Sequence, residues 1–359
     1  MEHIRVGIVG CGRIAFSKHM PSLAKIPEVE MSAFCHPDLA VAQRAAMMFG
    51  SPQAVVVTDY RDLVRDPQVD VVHVCTPNSS HAEISVAALS AGKDVMCEKP
   101  MARNTREAQA MMDAAEKSGK KLTISFTNRF RRDSQYLFDA CRRAELGHIY
   151  HAKAHAVRRR GVPTWGHFLE AEVQGGGALV DIGTHALDLT LWLMDNYEPH
   201  EVTGVTYNHL GRMGSLANPF GNWNGDNFEV EDAAFGLIVM KNGASIAIDA
   251  SWALNTRVPM EAQCSLFGTL AGADMHEGIR INGEHHGKLF VTSVDTDPKG
   301  VNFNDVISSQ SPHDLEMRRW IESIIHDTSP CVLPQQAYIV TAVVEALYLS
   351  ASNGAPVYL

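Results

Sequence analysis

Up to about residue 126, short apolar segments alternate with longer amphipathic ones. The apolar segments predict strands, and the amphipathic ones predict helices long enough to connect parallel strands. The predicted strands are 4–9, 31–35, 55–57, 69–75, 94–97 and 121–126, and the predicted helices are 13–24, 38–49, 79–90 and 105–118. This alternation predicts βαβ crossovers and a parallel sheet that is covered on both faces.

After about residue 145 the pattern changes to longer strand-like segments. These segments are 148–158, 201–210, 228–240 and 245–254. A helix is predicted over 178–194, and a last helix, about 334–350, is predicted to pack back between the domains. Asn242-Gly243 predicts a hairpin between the last two strands with a type I′ turn, because Asn-Gly tolerates the two positive φ angles of that turn.

Composition and charge restrict the class of protein. The chain has 359 residues, which suits about two domains, and its formal net charge of −10 disfavours a nucleic-acid partner. Its seven cysteines are odd in number and include no C-x-x-C, so we expect a reducing compartment, no disulfide framework and no metal site. A strand that starts almost at residue 1 leaves no room for a signal peptide, and no uncharged apolar run reaches the ~20 residues that span a bilayer. We therefore predict a cytoplasmic protein without a membrane partner.

The first strand is followed by the pattern G-x-G-x-x-A at Gly10, Gly12 and Ala15. In the first βα unit of a parallel sheet, this pattern is typical of a dinucleotide-binding turn, whose helix N-terminus faces a pyrophosphate. We therefore predict an α/β protein with an N-terminal Rossmann domain over residues 1–126. The second domain, residues 127–359, is predicted to be α+β with an open, largely antiparallel sheet and to bind substrate.

The ribose-binding position is unusual. An Asp or Glu normally ends the second strand of an NAD-binding domain, but here the strand ends at His36, and Asp38 is a candidate cap for the next helix. A neutral imidazole can bind a ribose hydroxyl and does not repel a 2′-phosphate. We predict NAD as the cofactor, with NADP left open. The predicted cofactor-binding residues are Gly10, Cys11, Gly12, Arg13, Ile14, His36, Cys75, Thr76, Pro77, Asn78, His81, Glu98, Lys99 and Asn128.

Three polar segments are candidates for the chemistry. Two of them, 75–81 and 97–100, follow predicted strands, and ligands bind outside the carboxyl ends of strands in open α/β sheets. The third is a helix that begins after a glycine triplet and carries Asp181 and His185 four residues apart, hence on one face. The triplet predicts a close approach to another backbone or to the cofactor.

Together these segments resemble the Gfo/Idh/MocA family, which includes glucose–fructose oxidoreductase and inositol dehydrogenases. The resemblance covers nearly the whole chain and rests on G-x-G-x-x-A, T-P-N-x-x-H, E-K-P and G-G-G-x-L-x-D-x-G-x-H-x-x-D. It implies that Lys99, Asp181 and His185 are catalytic and that the protein forms a homodimer or homotetramer through its second domain. Two departures from the family pattern are His36 and the Trp165-Gly166 pair, where many members have Trp-Arg.

The resemblance implies an NAD(P)-dependent oxidoreductase that moves a hydride between nicotinamide and a secondary alcohol of a sugar, glycoside or cyclic polyol. His185 would be the general base, Lys99 would stabilise the alkoxide, and Asp181 would orient the imidazole. Two alternatives are a glycosidase that retains NAD and uses transient oxidation, and a cofactor-binding regulatory protein, which has no need of these three residues. The predicted substrate-binding residues are Lys99, Arg129, Arg158, Trp165, Asp181 and His185.

Two of these substrate-binding predictions have structural alternatives. Trp165 can stack on the apolar face of a sugar while arginines bind its hydroxyls, or it can fill the core. Arg129 follows the last Rossmann strand, where it can reach the substrate or form a salt bridge between the domains.

Overall fold

The structure, a computed structural model, describes residues 3–296 and 310–359. The strands are β1 (Ile4–Val9), β2 (Val29–Cys35), β3 (Val55–Val57), β4 (Val71–Val74), β5 (Asp94–Glu98), β6 (Leu122–Ser125), β7 (Ile149–Val157), β8 (Pro199–Tyr207), β9 (Ala233–Met240), β10 (Ser245–Ser251), β11 (Met260–Gly268), β12 (Ala271–Asp274), β13 (Ile279–His285), β14 (Lys288–Val294) and β15 (Val357–Tyr358). The helices are α1 (Met20–Leu23), α2 (Leu39–Phe49), α3 (Tyr60–Arg65), α4 (His81–Ser90), α5 (Thr105–Ser118), α6 (Arg132–Arg142), α7 (Ala171–Gln174), α8 (Thr184–Met194), α9 (Pro312–Ile325) and α10 (Pro334–Asn353). No helix of the described residues combines the length and apolar character that crossing a bilayer requires.

The chain divides into two compact units. The first comprises Met1–Thr127 and Ser309–Tyr338, and the second comprises Asn128–Ser308 and Ile339–Leu359. The first break lies one residue from the predicted boundary, but residues 309–338, which the prediction placed in the second domain, belong to the first unit.

The reason for this difference lies in α9. Its residues Met317, Trp320 and Ile321 are buried in the same apolar cluster as Val6 and Ile8 of β1. The helix also has a complete capping box, in which Ser311 and Asp314 each bond the backbone of the other. The predicted packing of α10 between the domains stays a prediction.

The first unit contains a six-stranded parallel sheet in the order β3-β2-β1-β4-β5-β6. This is the doubly wound order, and it reverses between β1 and β4. β4 is buried at every residue, as expected for a strand that is covered on both faces. The predicted Rossmann fold is confirmed, and the residues after β1, β4 and β5 lie at the edge where such sheets bind their ligands.

The second unit contains a nine-stranded sheet in the order β14-β13-β12-β11-β7-β10-β9-β8-β15. Only β7 and β10 pair in parallel, so the predicted open and largely antiparallel sheet is confirmed. The helix predicted over 178–194 is present: its first part, Leu179–Gly183, is a π-helical turn, and α8 continues it.

Two local predictions in the second unit need correction. The hairpin between β9 and β10 is present, but only Gly243 has a positive φ, so its turn is not type I′. The side chain of Asn242 instead accepts a hydrogen bond from the N–H of Ala244 at 3.0 Å. The strand predicted over 228–240 begins only at Ala233.

Candidate active site

Gly10 and Gly12 form the turn after β1, and each is a glycine for a different reason. Gly10 has a φ of +90°, and a Cβ there would lie 2.5 Å from the carbonyl oxygen of Cys75, so only glycine fits. A Cβ at Gly12 would meet nothing within 4 Å. This open space precedes a helical segment that starts at Arg13, is π-helical over Ala15–His19 and continues into α1. The turn therefore fits a dinucleotide, because backbone N–H groups at the start of a helix bind a pyrophosphate.

The side chains of Cys11 and Cys75 are buried at this turn. Cys11 Sγ donates to the carbonyl of Cys35 at 3.6 Å, and burial raises the pKa of Cys11 to about 12. Burial also holds the pKa of Cys75 well above its usual range. Both thiols are therefore neutral, and a contact of these residues with a dinucleotide would come from their main chain. Arg13 is exposed and Ile14 is half-buried beside them.

His36 lies directly after β2, at the ribose-binding position. Its Nδ1 accepts a hydrogen bond from the N–H of Asp38 at 3.0 Å, which leaves the ring proton on Nε2. The carboxylate of Asp38 accepts from the N–H of Ala40 at 2.9 Å and caps α2, as predicted. The end of β2 therefore offers a ring N–H donor where an acidic side chain is usual.

Lys99 is half-buried directly after β5, and the carboxylate of Glu98 contacts its backbone. The N–H of Lys99 donates to Glu98 Oε2 at 3.1 Å, and His19 Nε2 lies 2.7 Å from Glu98 Oε1. His19 is fully buried, and its Nδ1 lies 3.1 Å from Nδ1 of His73. Burial, and to a smaller extent His19, holds the pKa of His73 well below its usual range, so His73 is neutral. Glu98 thus supports the Lys99 backbone, while its predicted cofactor contact stays a prediction.

The loop after β4 contains Thr76, Pro77 and Asn78 and ends at His81, the first residue of α4. Thr76 is half-buried, Pro77 is exposed and Asn78 is buried. His81 is fully buried, with Nδ1 at 2.8 Å from the carbonyl oxygen of Pro100 and Nε2 at 2.9 Å from that of Thr76. Both ring nitrogens therefore face main-chain carbonyls, and the cofactor contact predicted for His81 stays a prediction.

Asp181 and His185 lie in one helix of the second unit, as predicted. Asp181 belongs to the π-helical turn, a local form that is frequent at functional sites, and His185 lies in α8. Both side chains are half-buried.

A buried carboxylate holds the start of this helix. Glu231 accepts hydrogen bonds from the N–H groups of Gly177 and Leu179 at 2.8 and 2.9 Å, and Tyr348 Oη donates to it at 2.8 Å. A Cβ at Gly177 would lie 2.0 Å from the carbonyl oxygen of Glu231. The backbone that the glycine triplet approaches is therefore that of Glu231.

The carboxylate of Asp181 has two further neighbours. Trp252, which is fully buried, donates from Nε1 to Asp181 Oδ2 at 2.9 Å. Arg158 Nη1 lies 3.9 Å from the same oxygen, and its Nε donates to Glu261 at 2.8 Å. The structure thus brings Arg158, a predicted substrate-binding residue, beside Asp181. Trp252 was missed by the sequence analysis, and its only signal is its position one residue after β10.

Arg129 forms a buried ion pair in the second unit, and the substrate contact predicted from its position stays a prediction. It is 1% exposed, and its Nε and Nη2 bind the two carboxylate oxygens of Asp188 at 2.9 and 2.5 Å. Tyr197 Oη lies 3.2 Å from Nη2, so the guanidinium is enclosed by side chains of its own unit. Asn128, one residue earlier, is half-buried, and its predicted cofactor contact stays a prediction.

Trp165 belongs to a partly exposed aromatic cluster. Its ring meets Phe168 and Phe220 edge to face, at centroid distances of 5.7 and 4.9 Å. Thr164 Oγ1 bonds the carbonyl of Phe220, which connects the two segments that carry these rings. The half-buried ring of Trp165 is compatible with stacking on a sugar, which stays a prediction.

The predicted residues thus form two groups, one in each unit. The first group contains Gly10, Cys75, Thr76, His81, Glu98 and Lys99. In the second, Asp181 shares a helix with His185, and Arg158, which follows β7, lies beside Asp181. Among the described residues, no three His, Cys, Asp or Glu side chains come together as metal ligands.

Comparison with known proteins identifies both units. The model of the oxidoreductase family with the NAD-binding Rossmann fold, GFO_IDH_MocA, matches residues 4–126. The model of the GFO/IDH/MocA C-terminal domain matches residues 135–273.

Curated relatives and solved structures agree with this match. D-glucoside 3-dehydrogenase of Escherichia coli K12 is 34% identical over 356 residues, covering 99% of this chain and 97% of the relative. Inositol 2-dehydrogenase of Salmonella typhimurium is 31% identical over 274 residues, which cover 76% of this chain and 74% of the relative. The structure of an aldose–aldose oxidoreductase from Caulobacter crescentus with glycerol has a TM-score of 0.81 at 23% identity, with complete coverage of both chains. The chain therefore belongs to the GFO/IDH/MocA oxidoreductase family, and its first unit is an NAD-binding Rossmann domain.

Proposed function

We propose that this protein is an NAD-dependent dehydrogenase that oxidises a secondary hydroxyl of a glucoside or a closely related sugar. The observation that carries the proposal is the Asp181 carboxylate, oriented by Trp252 and Arg158 on the helix that also presents His185. Similarity to D-glucoside 3-dehydrogenase over 99% of the chain supports a glucoside as the substrate class.

In the proposed reaction each side chain has one task. His185 accepts the hydroxyl proton as general base, since a neutral imidazole suits that task near pH 7. Asp181, fixed by the Trp252 N–H, accepts a hydrogen bond from the imidazole or from a neighbouring hydroxyl. Lys99 stabilises the negative charge that develops on the substrate oxygen. When bound, NAD⁺ would accept the hydride, so that the alcohol would become a ketone and the other products would be one NADH and one proton.

The experiment is a substrate panel with NADH absorbance as readout. We expect methyl glucosides to reduce NAD⁺ with higher kcat/KM than inositols or free aldoses. NMR of the product then shows which carbon carries the carbonyl. Absence of NADH formation with every glycoside, aldose and inositol would contradict the proposal. Release of the aglycone without net NADH would instead identify the NAD-retaining glycosidase.

We also propose that the protein discriminates only weakly between NAD and NADP because His36 occupies the ribose-binding position. Its ring donates from Nε2 and carries no negative charge, so it can donate to an oxygen of either a ribose hydroxyl or a 2′-phosphate. We expect His36→Asp to raise the ratio of NADPH to NADH dissociation constants by about tenfold or more, because a carboxylate repels the phosphate; tenfold is ~1.4 kcal/mol. Fluorescence titration of both nucleotides measures this ratio.

The control for this substitution is His3→Asp, which adds the same charge at an exposed position of the same unit. It should leave the ratio unchanged. If the ratio in His36→Asp equals that of the control, His36 does not lie at the ribose.

A further inference from the structure

His81 is fully buried, yet both of its ring nitrogens lie within hydrogen-bond distance of main-chain carbonyls. Nδ1 is 2.8 Å from the oxygen of Pro100, and Nε2 is 2.9 Å from that of Thr76. A carbonyl oxygen only accepts hydrogen bonds, and a neutral imidazole carries one N–H. The neutral ring can therefore donate to only one of the two carbonyls.

The surroundings of the two carbonyls decide which nitrogen holds the proton. The contact with Pro100 is buried, whereas the contact with Thr76 is partly exposed. Water can donate a hydrogen bond to the carbonyl of Thr76. The buried carbonyl of Pro100 has no such replacement, so loss of its donor would destabilise the fold by the full desolvation free energy of that carbonyl. The proton therefore lies on Nδ1 of His81 and binds the carbonyl of Pro100.

A second buried histidine acts on the other side of Lys99. His19 is the last residue of the π-helical segment Ala15–His19, which follows the glycine turn. Its Nε2 lies 2.7 Å from Glu98, whose other oxygen accepts the N–H of Lys99 at 3.1 Å. The residues before and after Lys99 are thus each held by an imidazole that solvent does not reach.

We propose that His81 and His19 are positioning residues that fix the backbone of Lys99 from both sides, His81 through Nδ1 and Pro100 and His19 through Nε2 and Glu98. The lysine side chain is long and flexible, so a fixed backbone is what places its ammonium on the reacting oxygen. This inference rests on the proposed role of Lys99 in catalysis.

The test uses the different reach of asparagine and glutamine. The side-chain amide nitrogen of asparagine takes the place of histidine Nδ1, and that of glutamine takes the place of Nε2. We expect His81→Asn to keep kcat within about threefold and His81→Gln to lose about 10- to 100-fold, because a small misplacement of a catalytic group costs up to ~10²-fold. At His19 the order of the two amides is reversed: we expect His19→Gln to keep kcat within about threefold and His19→Asn to lose about 10- to 100-fold. The NADH dissociation constant should stay within about threefold in all four variants, since the ring nitrogens of both histidines lie against protein atoms.

If kcat is higher with asparagine at position 81 and with glutamine at position 19, the two histidines act by positioning and not through a general loss of stability. A destabilised fold lowers the melting temperature, but it does not reverse which of asparagine and glutamine gives the higher kcat. The control is Leu63→Ala, which shows the effect of lost stability alone because Leu63 is buried and packs against Gly7. Equal kcat values within each pair, or the same preferred amide at both positions, would overturn the proposal. A tenfold weaker NADH affinity with unchanged kcat in His81→Gln would make His81 a cofactor ligand instead.

Lys99→Met distinguishes this inference from the proposed function. If Lys99→Met keeps the wild-type kcat, the role of Lys99 in the proposed function is wrong, whatever the histidine variants show. If Lys99→Met is inactive and the histidine pairs show no preference, only the positioning inference is wrong.

Discussion

Lys99→Met is expected to lower kcat by about two to three orders of magnitude, and His185→Ala by about two to four, while both variants still bind NADH. Loss of an electrostatic stabiliser of an oxyanion costs ~10²–10³-fold, and loss of a general base costs ~10²–10⁴-fold. Methionine keeps the length of Lys99 and removes its charge. Stopped-flow hydride transfer with a methyl glucoside and equilibrium binding of NADH measure the two quantities separately.

The matched controls are Lys120→Met in the first unit and His148→Ala in the second, two residues outside the proposed machinery. Both should keep wild-type kcat. Wild-type hydride transfer in either Lys99→Met or His185→Ala would remove that residue from the mechanism. A loss of NADH binding in step with kcat would show that the residue binds cofactor rather than the reacting oxygen.

Arg129→Met is expected to destabilise the second unit by ~3–5 kcal/mol, because it leaves the buried Asp188 carboxylate without its partner. Replacing both partners, Arg129→Met with Asp188→Leu, should cost clearly less than the single change, since no charge is then left buried. The midpoint of urea unfolding reports both effects.

A half-exposed ion pair in the same unit provides the comparison. Arg280 binds Glu277 at 3.3 Å with side chains 37% and 70% exposed, so Arg280→Met should cost about 1 kcal/mol or less. If Arg129→Met is no more destabilising than Arg280→Met and instead raises KM for the glucoside, Arg129 binds substrate, as its position in the sequence first indicated.

The sequence predicts the first unit well because its signals are local. Glycines at fixed offsets after an apolar strand define the turn of Gly10 and Gly12, and Asp38 is recognisable as a cap from its place before a helix. The helix of Asp181 and His185 is predicted for the same reason, from a glycine triplet and a long apolar run.

The sequence does not reveal partners that are distant along the chain. Trp252 contacts Asp181 across 71 positions, and Tyr348 contacts Glu231 across 117. Arg129 is a second example. Its partner Asp188 lies 59 positions away along the chain, so the sequence alone does not indicate that the two residues form a buried ion pair. The placement of α9 in the first unit also depends on tertiary packing, since an amphipathic helix does not specify which core it completes.

The order of these segments along the chain has a consequence for biosynthesis. Met317, Trp320 and Ile321 complete the apolar core around β1, but the ribosome makes them after nearly all of the second unit. A nascent chain that has emerged only as far as β6 therefore has all six strands of its first sheet but lacks part of the core that covers them. Because domains generally fold as units during synthesis, the first unit is completed only once α9 has emerged, and the second only once Ile339–Leu359, which follow α9, have been made.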